Sequence, residues 1–331
     1  MFPVPGHGAR SLPLTVVALV AVSSIAGCSG DSGDDAPPAP EASHATEATP
    51  LGGGELIVFE RSVPGAEERD LYVMGPDGGG PRLVRSAAGY PSWSPDGSRL
   101  AFLACLNPPD CTTAVALLER ATGEVDGFAM PDPDLYTACP TWAPSGTTLA
   151  CEGTSEADPA RNGVYTIRAA DGQGLTRITR NPDGLDHPLA YSPDGTQLLF
   201  ARTDPSQAGP EEALFVTPSS GGPVQRITPW GYSDDFAGWS PDGRTIVFGT
   251  GGGLYRVGPE GQGLAEISLE MPDGSSVDAF DVSFSPDGRR IVFSLASPAP
   301  GIYTASLDGS DVVRLTDRGD HHARWSPPSA S

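Results

Sequence analysis

Lysine is missing from all 331 residues: each of the 20 basic side chains is arginine. Without lysine there is no Walker-type phosphate loop and no Schiff-base nucleophile, so Gly-rich stretches such as GPEGQG (258–263) read as turns. Cysteine is scarce, five in the chain, and neither a Cys-x-x-Cys pair nor a Cys/His zinc spacing occurs. Positive charge is scarce altogether: 42 acidic residues give a net charge of -22. A polyanion would be repelled, which excludes nucleic acid as a partner. No G-x-S-x-G nucleophile elbow lies between 54 and 331. The longest apolar run, Leu12 to Ala26, is too short for a typical membrane span.

That run follows Arg10 and has the size and order of a secretory signal, residues 1–27. It ends in Ile25-Ala26-Gly27-Cys28, which resembles the lipobox of bacterial lipoproteins. The resemblance implies that Cys28 receives a diacylglyceryl thioether and becomes the new N-terminus, anchoring the protein to a bacterial membrane outside the cytoplasm. Removing Arg10 with a segment that holds no acid leaves the mature chain at -23. Apart from Cys28, His44 and Leu51, residues 28–53 are Gly, Asp, Ala, Pro, Glu, Ser and Thr, the composition of a disordered acidic tether. The tetrad GDSG (30–33) copies a serine-protease nucleophile, but nothing around it would position a triad.

From residue 54 onward one motif recurs. It reads SWSPDGSRLAF (92–102), TWAPSGTTLAC (141–151), AYSPDGTQLLF (190–200), GWSPDGRTIVF (238–248) and SFSPDGRRIVF (283–293), with a truncated RWSPP at 324–328. The marker aromatics Trp93, Trp142, Tyr191, Trp239, Phe284 and Trp325 are spaced 49, 49, 48, 45 and 41 residues apart, the length of one four-stranded propeller blade. Ser-Pro-Asp-Gly suits a hairpin joint: proline presets the first corner and glycine takes the left-handed position. Each joint leads into a strand with one apolar face, as in Leu100/Phe102, Leu149/Cys151, Leu198/Phe200, Ile246/Phe248 and Ile291/Phe293. A third strand follows (LYVM, AVALL, VYTI, LFVT, LYRV, IYTA), and then a short fourth, clearest in the Arg-Ile-Thr triplets 177–179 and 226–228. RWSPP lacks its second strand, while LIVFE (56–60) is a second strand without a first. Residues 54–331 therefore read as an all-β, six-bladed propeller whose first blade takes three strands from the N-terminus and one from the C-terminus.

The repeated W-S-P-D-G followed by I-V-F, and the closing WSP, resemble the β-propeller domain of the TolB family over about 275 residues. The resemblance implies a propeller that grips an envelope partner at a channel mouth. It also implies a separate α/β domain ahead of the propeller, where the residues before 54 read as signal and tether instead; the expectation is a monomeric propeller without that domain.

Four cysteines remain after Cys28, an even count for an oxidising compartment. Cys105 and Cys111 flank LNPPD, and Cys139 and Cys151 sit on two arms of one hairpin, so local disulfides pair them in that order, with free buried thiols as the alternative.

In a propeller the inner strands start near one mouth of the channel, so residues just before each marker converge there. These are Asp186 and His187, Asp234 and Asp235, Asp278 and Asp281, and Asp320, His321 and His322, with Tyr90 and Tyr136 in the other two blades. Three readings follow. The carboxylates cap turns; the arc recognises a cationic ligand or basic partner; or it binds a divalent cation, Zn or Mn before Ca, in a metal-dependent lyase or hydrolase. The Arg-Gly-Asp tripeptide at 318–320 matches an integrin motif of a length that chance supplies. No catalytic set is complete, which favours a non-enzymatic protein or ligand binding module at the cell envelope, needing no cofactor, over the enzyme. Metabolic labelling with palmitate is expected to mark the wild-type protein and to leave Cys28→Ser unlabelled.

Overall fold

The computed structural model describes residues 49–63, 68–105, 113–128, 131–205, 211–232, 236–250, 252–271, 274 and 277–328. Cys28, Cys111, Asp234 and Asp235 lie outside the described residues, as do the signal and most of the tether.

The described strands form six four-stranded antiparallel sheets. Counted from the N-terminus as blades 1 to 6, blades 2 to 6 run from inner to outer strand in chain order. Their inner strands are Ala88–Trp93, Tyr136–Trp142, Asp186–Tyr191, Ala237–Trp239 and Asp278–Phe284. Blade 1 is composite. The C-terminal strand Asp320–Trp325 is its inner strand, paired to Ile57–Ser62, with Arg69–Met74 and Arg82–Arg85 outside. The register puts Ile57 opposite Trp325 and Arg61 opposite Asp320. Ser326 locks it twice, donating its N–H to the Leu56 carbonyl at 2.7 Å and accepting the Leu56 N–H on Oγ at 2.9 Å.

Each Ser-Pro-Asp-Gly joint closes on its own hydrogen bonds. In blade 2 the Ser94 hydroxyl donates to Asp96 at 2.6 Å and accepts the Arg99 N–H at 2.8 Å, while Asp96 accepts the Ser98 N–H at 3.0 Å. The same pattern recurs around Asp194, Asp242 and Asp287. Gly97 sits at φ +65°, the left-handed corner that a side chain would strain. The threonine ending each Arg-Ile-Thr triplet acts just as locally. Thr179 and Thr228 accept the N–H of Val164 and Leu214, both at 2.8 Å, at the start of the third strand.

The second strands are buried on both faces, not on one. Leu198 and Phe200 pack in one core while the alternating Leu199 and Ala201 pack in the next, all at 0% exposure. The reason is the ring: each sheet is sandwiched between two neighbours, so both of its faces become interior. Six apolar clusters result, one per blade interface, and the cluster of Ile57, Phe59, Val292 and Ile302 joins blade 6 to blade 1. Phenylalanines 59, 102, 200, 248 and 293 are completely buried. Four of them stack on the aromatic directly opposite in the third strand, as Phe248 does on Tyr255 at 5.8 Å.

The last residues of the expected tether lie on the propeller. Leu51 is buried beside Trp93, its N–H donates to Arg120 O at 2.9 Å, and the Arg120 guanidinium donates to the Gly52 carbonyl at 2.8 Å. A single leucine at the end of a polar segment suffices, because its apolar side chain fills the edge of the blade 1–2 core.

Phe248→Ala is expected to lower the unfolding free energy by about 3–5 kcal/mol through lost burial and an unfilled cavity. Urea denaturation of the two proteins measures it.

Candidate functional site

Two to three residues before the marker aromatic, five of the six inner strands carry a register shift, at the third residue in blades 1, 2, 3 and 6. A bulge re-aims the side chain it carries. In blades 1, 2 and 6 that position is His322, Tyr90 and Asp281, each in the left-handed region at φ of 54°, 56° and 55°. Such backbone costs about 1–3 kcal/mol per residue and persists where its surroundings over-determine it. Here they do. The rings of Tyr90 and Phe236, from opposite blades 2 and 5, stack at 6.4 Å, and His322 touches both, at 5.8 Å and 4.2 Å. The channel is thus crossed by aromatic rings near the level of the bulges.

The expected Asp/His arc separates into distinct environments. Asp186 and Asp320, both buried, are each gripped by an arginine from the neighbouring strand of their own blade. Arg202 reaches both Asp186 oxygens at 2.7 Å and Arg61 reaches both Asp320 oxygens at 2.8 Å. These carboxylates are structural counter-ions. Since Asp320 is 1% exposed, the Arg-Gly-Asp tripeptide cannot present its acid to a receptor.

His322 stands at the centre of a buried charge cluster on the ring seam. Its Nδ1 is 2.8 Å from Glu60 Oε1 and its Nε2 is 3.5 Å from Asp281 Oδ2. Glu60 also accepts the Tyr90 N–H at 2.6 Å and an Arg69 guanidinium N–H at 3.0 Å. Burial alone would raise the Glu60 carboxyl, but the bond and charge of His322, with Tyr90 and Arg69, hold it down at about 2. Burial likewise opposes charge on His322; Asp281 and Glu60 outweigh it and raise the imidazole above its ordinary 6.5. Its stacked neighbour His321, 4.6 Å away, is pushed down to about 4 by burial and by the charge of His322.

Glu152 of blade 3 repeats the Glu60 arrangement on His187 of blade 4, with Oε2 2.5 Å from Nδ1. Asp278 is exposed and so is Tyr136, at 62%. Among the described residues no group of three or more His, Cys, Asp and Glu side chains is placed to hold a metal ion. Cys139 lies in the bulge opposite Cys151, which is buried; the side chains of Cys105 and Cys139 are outside the described residues, and so are both expected disulfides.

The other end of the channel differs. A cavity of about 470 Å³ opens between the inner-strand ends, lined by the marker aromatics, the turn prolines and the residue before each marker. That residue is Ser92, Thr141, Ala190, Gly238 or Ser283 in five blades and Arg324 in the sixth. The Arg324 guanidinium lies 4.1 Å over the Phe236 ring. Glu60, Glu152 and Arg324 fall outside the set that convergence at one mouth selects. Each carried a signal: Glu60 and Glu152 share a position that is Leu103, Ala201, Gly249 or Ser294 in the other four blades, and Arg324 stands where the other five have a small side chain.

Six four-stranded blades, the first closed by the C-terminal strand, define a β-propeller. The model of the TolB β-propeller domain matches residues 56–258, more than half of the chain, and the chain belongs to that family. It is 30% identical to the uncharacterized protein Atu1656 of Agrobacterium fabrum over 60% of this chain and 64% of that one. It is 26% identical to the uncharacterized peptidase YuxL of Bacillus subtilis over 62% and 29% of the two chains. With the Tol-Pal system protein TolB of Bordetella pertussis, identity is 28% over 46% and 33%. The chain thus spans less than two thirds of the length of these relatives. Among solved structures, TolB of Acinetobacter baumannii shares the fold with a TM-score of 0.61 at 20% identity, over 82% of this chain and 66% of that one.

The seam sets the pH response. His322, raised in the folded state, contributes stability that is complete below 6.5 and declines as pH rises through its folded value. His321 and Glu60, both depressed, contribute stability that is lost on acidification, from 6.5 toward 4 and from 4.5 toward 2. His322→Gln is expected to remove most of the decline above pH 6.5. Urea midpoints from pH 6 to 9 test this, and an unchanged slope would refute it.

Proposed function

We propose that the chain is an extracytoplasmic, monomeric propeller, anchored through lipid on Cys28, whose acidic mouth binds an envelope protein or small ligand without transforming it. One observation carries the reading: Asp186, Asp320 and His322, among the described titratable groups of the mouth, are committed to partners within the protein. Asp186 and Asp320 are bound by arginines, and His322 is buried between Glu60 and Asp281. A general base or a metal ligand must reach its substrate, and groups sealed in this way do not.

Among the described residues, the mouth turns to solvent the ring of Tyr136, the carboxylate of Asp278 and part of His187. An aromatic face and an unburied acid suit a basic, partly apolar segment of a partner. Similarity to TolB proteins of a Tol-Pal system supports an envelope setting. The likeness to a peptidase covers 29% of that peptidase and supports only a shared propeller.

In-cell photocrosslinking tests the reading. A photoreactive phenylalanine at position 136 is expected to trap a discrete partner, one at Val224 on the outer rim is not, and Asp278→Arg is expected to reduce the yield at 136 at least fivefold. Elemental analysis covers the enzymatic alternative: stoichiometric Zn or Mn in the wild type, lost when His187, His321 and His322 are replaced by alanine, would overturn the binding-module reading.

A further inference from the structure

The closing strand also decides at which end of the ring the N-terminal chain enters. Blade 1 takes its inner strand from the C-terminus, so it receives the N-terminal chain as its second strand, which runs antiparallel to the inner one. The inner strand starts with Asp320 at the acidic mouth and ends with Trp325 among the prolines of the hairpin joints. Ile57 pairs with Trp325 and Arg61 with Asp320. The N-terminal chain therefore enters at the hairpin-joint end and climbs toward the mouth. A ring closed by an N-terminal inner strand would bring the same chain in beside the acids.

The residues just before that strand are fastened to the same end. The carbonyls of Pro50 and Leu51 accept from the Arg82 guanidinium, the first at 3.1 Å. Those of Gly52 and Gly54 accept from Arg120, the first at 2.8 Å. A further Arg120 N–H reaches the carbonyl of Gly97, in the blade 2 joint, at 3.4 Å. Among the described residues no carboxylate pairs with Arg120, so the carbonyls of this segment satisfy a buried cation. With Leu51 packed beside Trp93, the chain leaves the ring from a fixed point on blade 2 at the joint end.

We infer, on the reading that Cys28 carries the lipid, that the joint end of the ring faces the anchoring membrane and the acidic mouth opens away from it, taking its partner from a protein held in the layer beyond and not from a neighbour in the same leaflet. Residues 29–48 separate Cys28 from the fastened segment. Even a fully flexible chain of that length has a root-mean-square span of only roughly 25 Å. Turning the mouth toward the membrane would send the chain up the outer wall of the ring. The second strands of five to eight residues make that wall about 16–26 Å high, at about 3.3 Å per residue. The detour consumes most of the span, so inverted arrangements leave the chain few conformations.

The experiment uses the lipidated full chain in phosphatidylcholine vesicles carrying an acceptor dye on the lipid headgroup. A fluorescent amino acid replaces either Arg289, exposed in the blade 6 joint, or Asp183, exposed just before the inner strand of blade 4. Energy transfer from position 289 is expected to be at least twice that from 183. Inserting roughly 40 Gly-Ser residues after Ala48 is expected to bring the ratio close to one, because the longer chain reaches past the ring. Equal transfer from both positions, greater transfer from 183, or a ratio that survives the insertion overturns the inference. A chain that does not float with the vesicles refutes the lipid anchor itself. A chain that floats and gives equal transfer removes the orientation alone and leaves the anchor and the crosslinking at Tyr136 untouched.

Discussion

Everything in this molecule depends on the pairing of its last strand, Asp320–Trp325, with its first, Ile57–Ser62. Both faces of a propeller blade are apolar, so an open ring would present two uncovered sheets to water. The seam closes that gap with a backbone ladder, the two hydrogen bonds between Leu56 and Ser326, and an apolar core shared by blades 6 and 1. The two segments are more than 250 residues apart, so the loop-closure entropy of the whole ring is lost in forming one contact. It is tolerable because that cost grows only slowly with length, while each of six interfaces returns buried area.

The same seam gathers charges that recur only in part elsewhere in the ring, as Asp186 with Arg202 and Glu152 with His187. Glu60 and Arg61 come from the N-terminal strand; Asp320, His322 and Arg324 come from the C-terminal one. Buried ion pairs are poor sources of net stability, because desolvation takes back much of their attraction, but removing one partner is costly. Their presence at the joint between distant segments fits a role in selecting the register: sliding the last strand by one residue would separate Arg61 from Asp320 and leave the buried carboxylate unpaired.

One rigid ring thus carries two unlike surfaces. At the start of the inner strands lie acids and imidazoles, most of them committed to each other. At the other end the aromatics and prolines that build the hairpins also wall a cavity that Arg324 lines. The rings of Tyr90, Phe236 and His322, from blades 2, 5 and 1, meet near the level of the inner-strand bulges.

The architecture was legible because it is periodic. Marker spacing, the Ser-Pro-Asp-Gly joint and the orphan strand at each end determine six blades and their closure, since local turn chemistry and a repeat length admit few other solutions. What the sequence could not decide was which charged residues face one another. Asp186 and His187 are adjacent in the chain, yet one turns into an arginine of its own blade and the other to a glutamate of the blade before. Periodicity assigned them to one arc because it locates backbone and does not orient side chains. The bulges before five of the six markers, the ring contacts across the axis, and the burial of both strand faces arise only when six sheets are packed around a centre. That packing is a property of the ring, and no single repeat contains it.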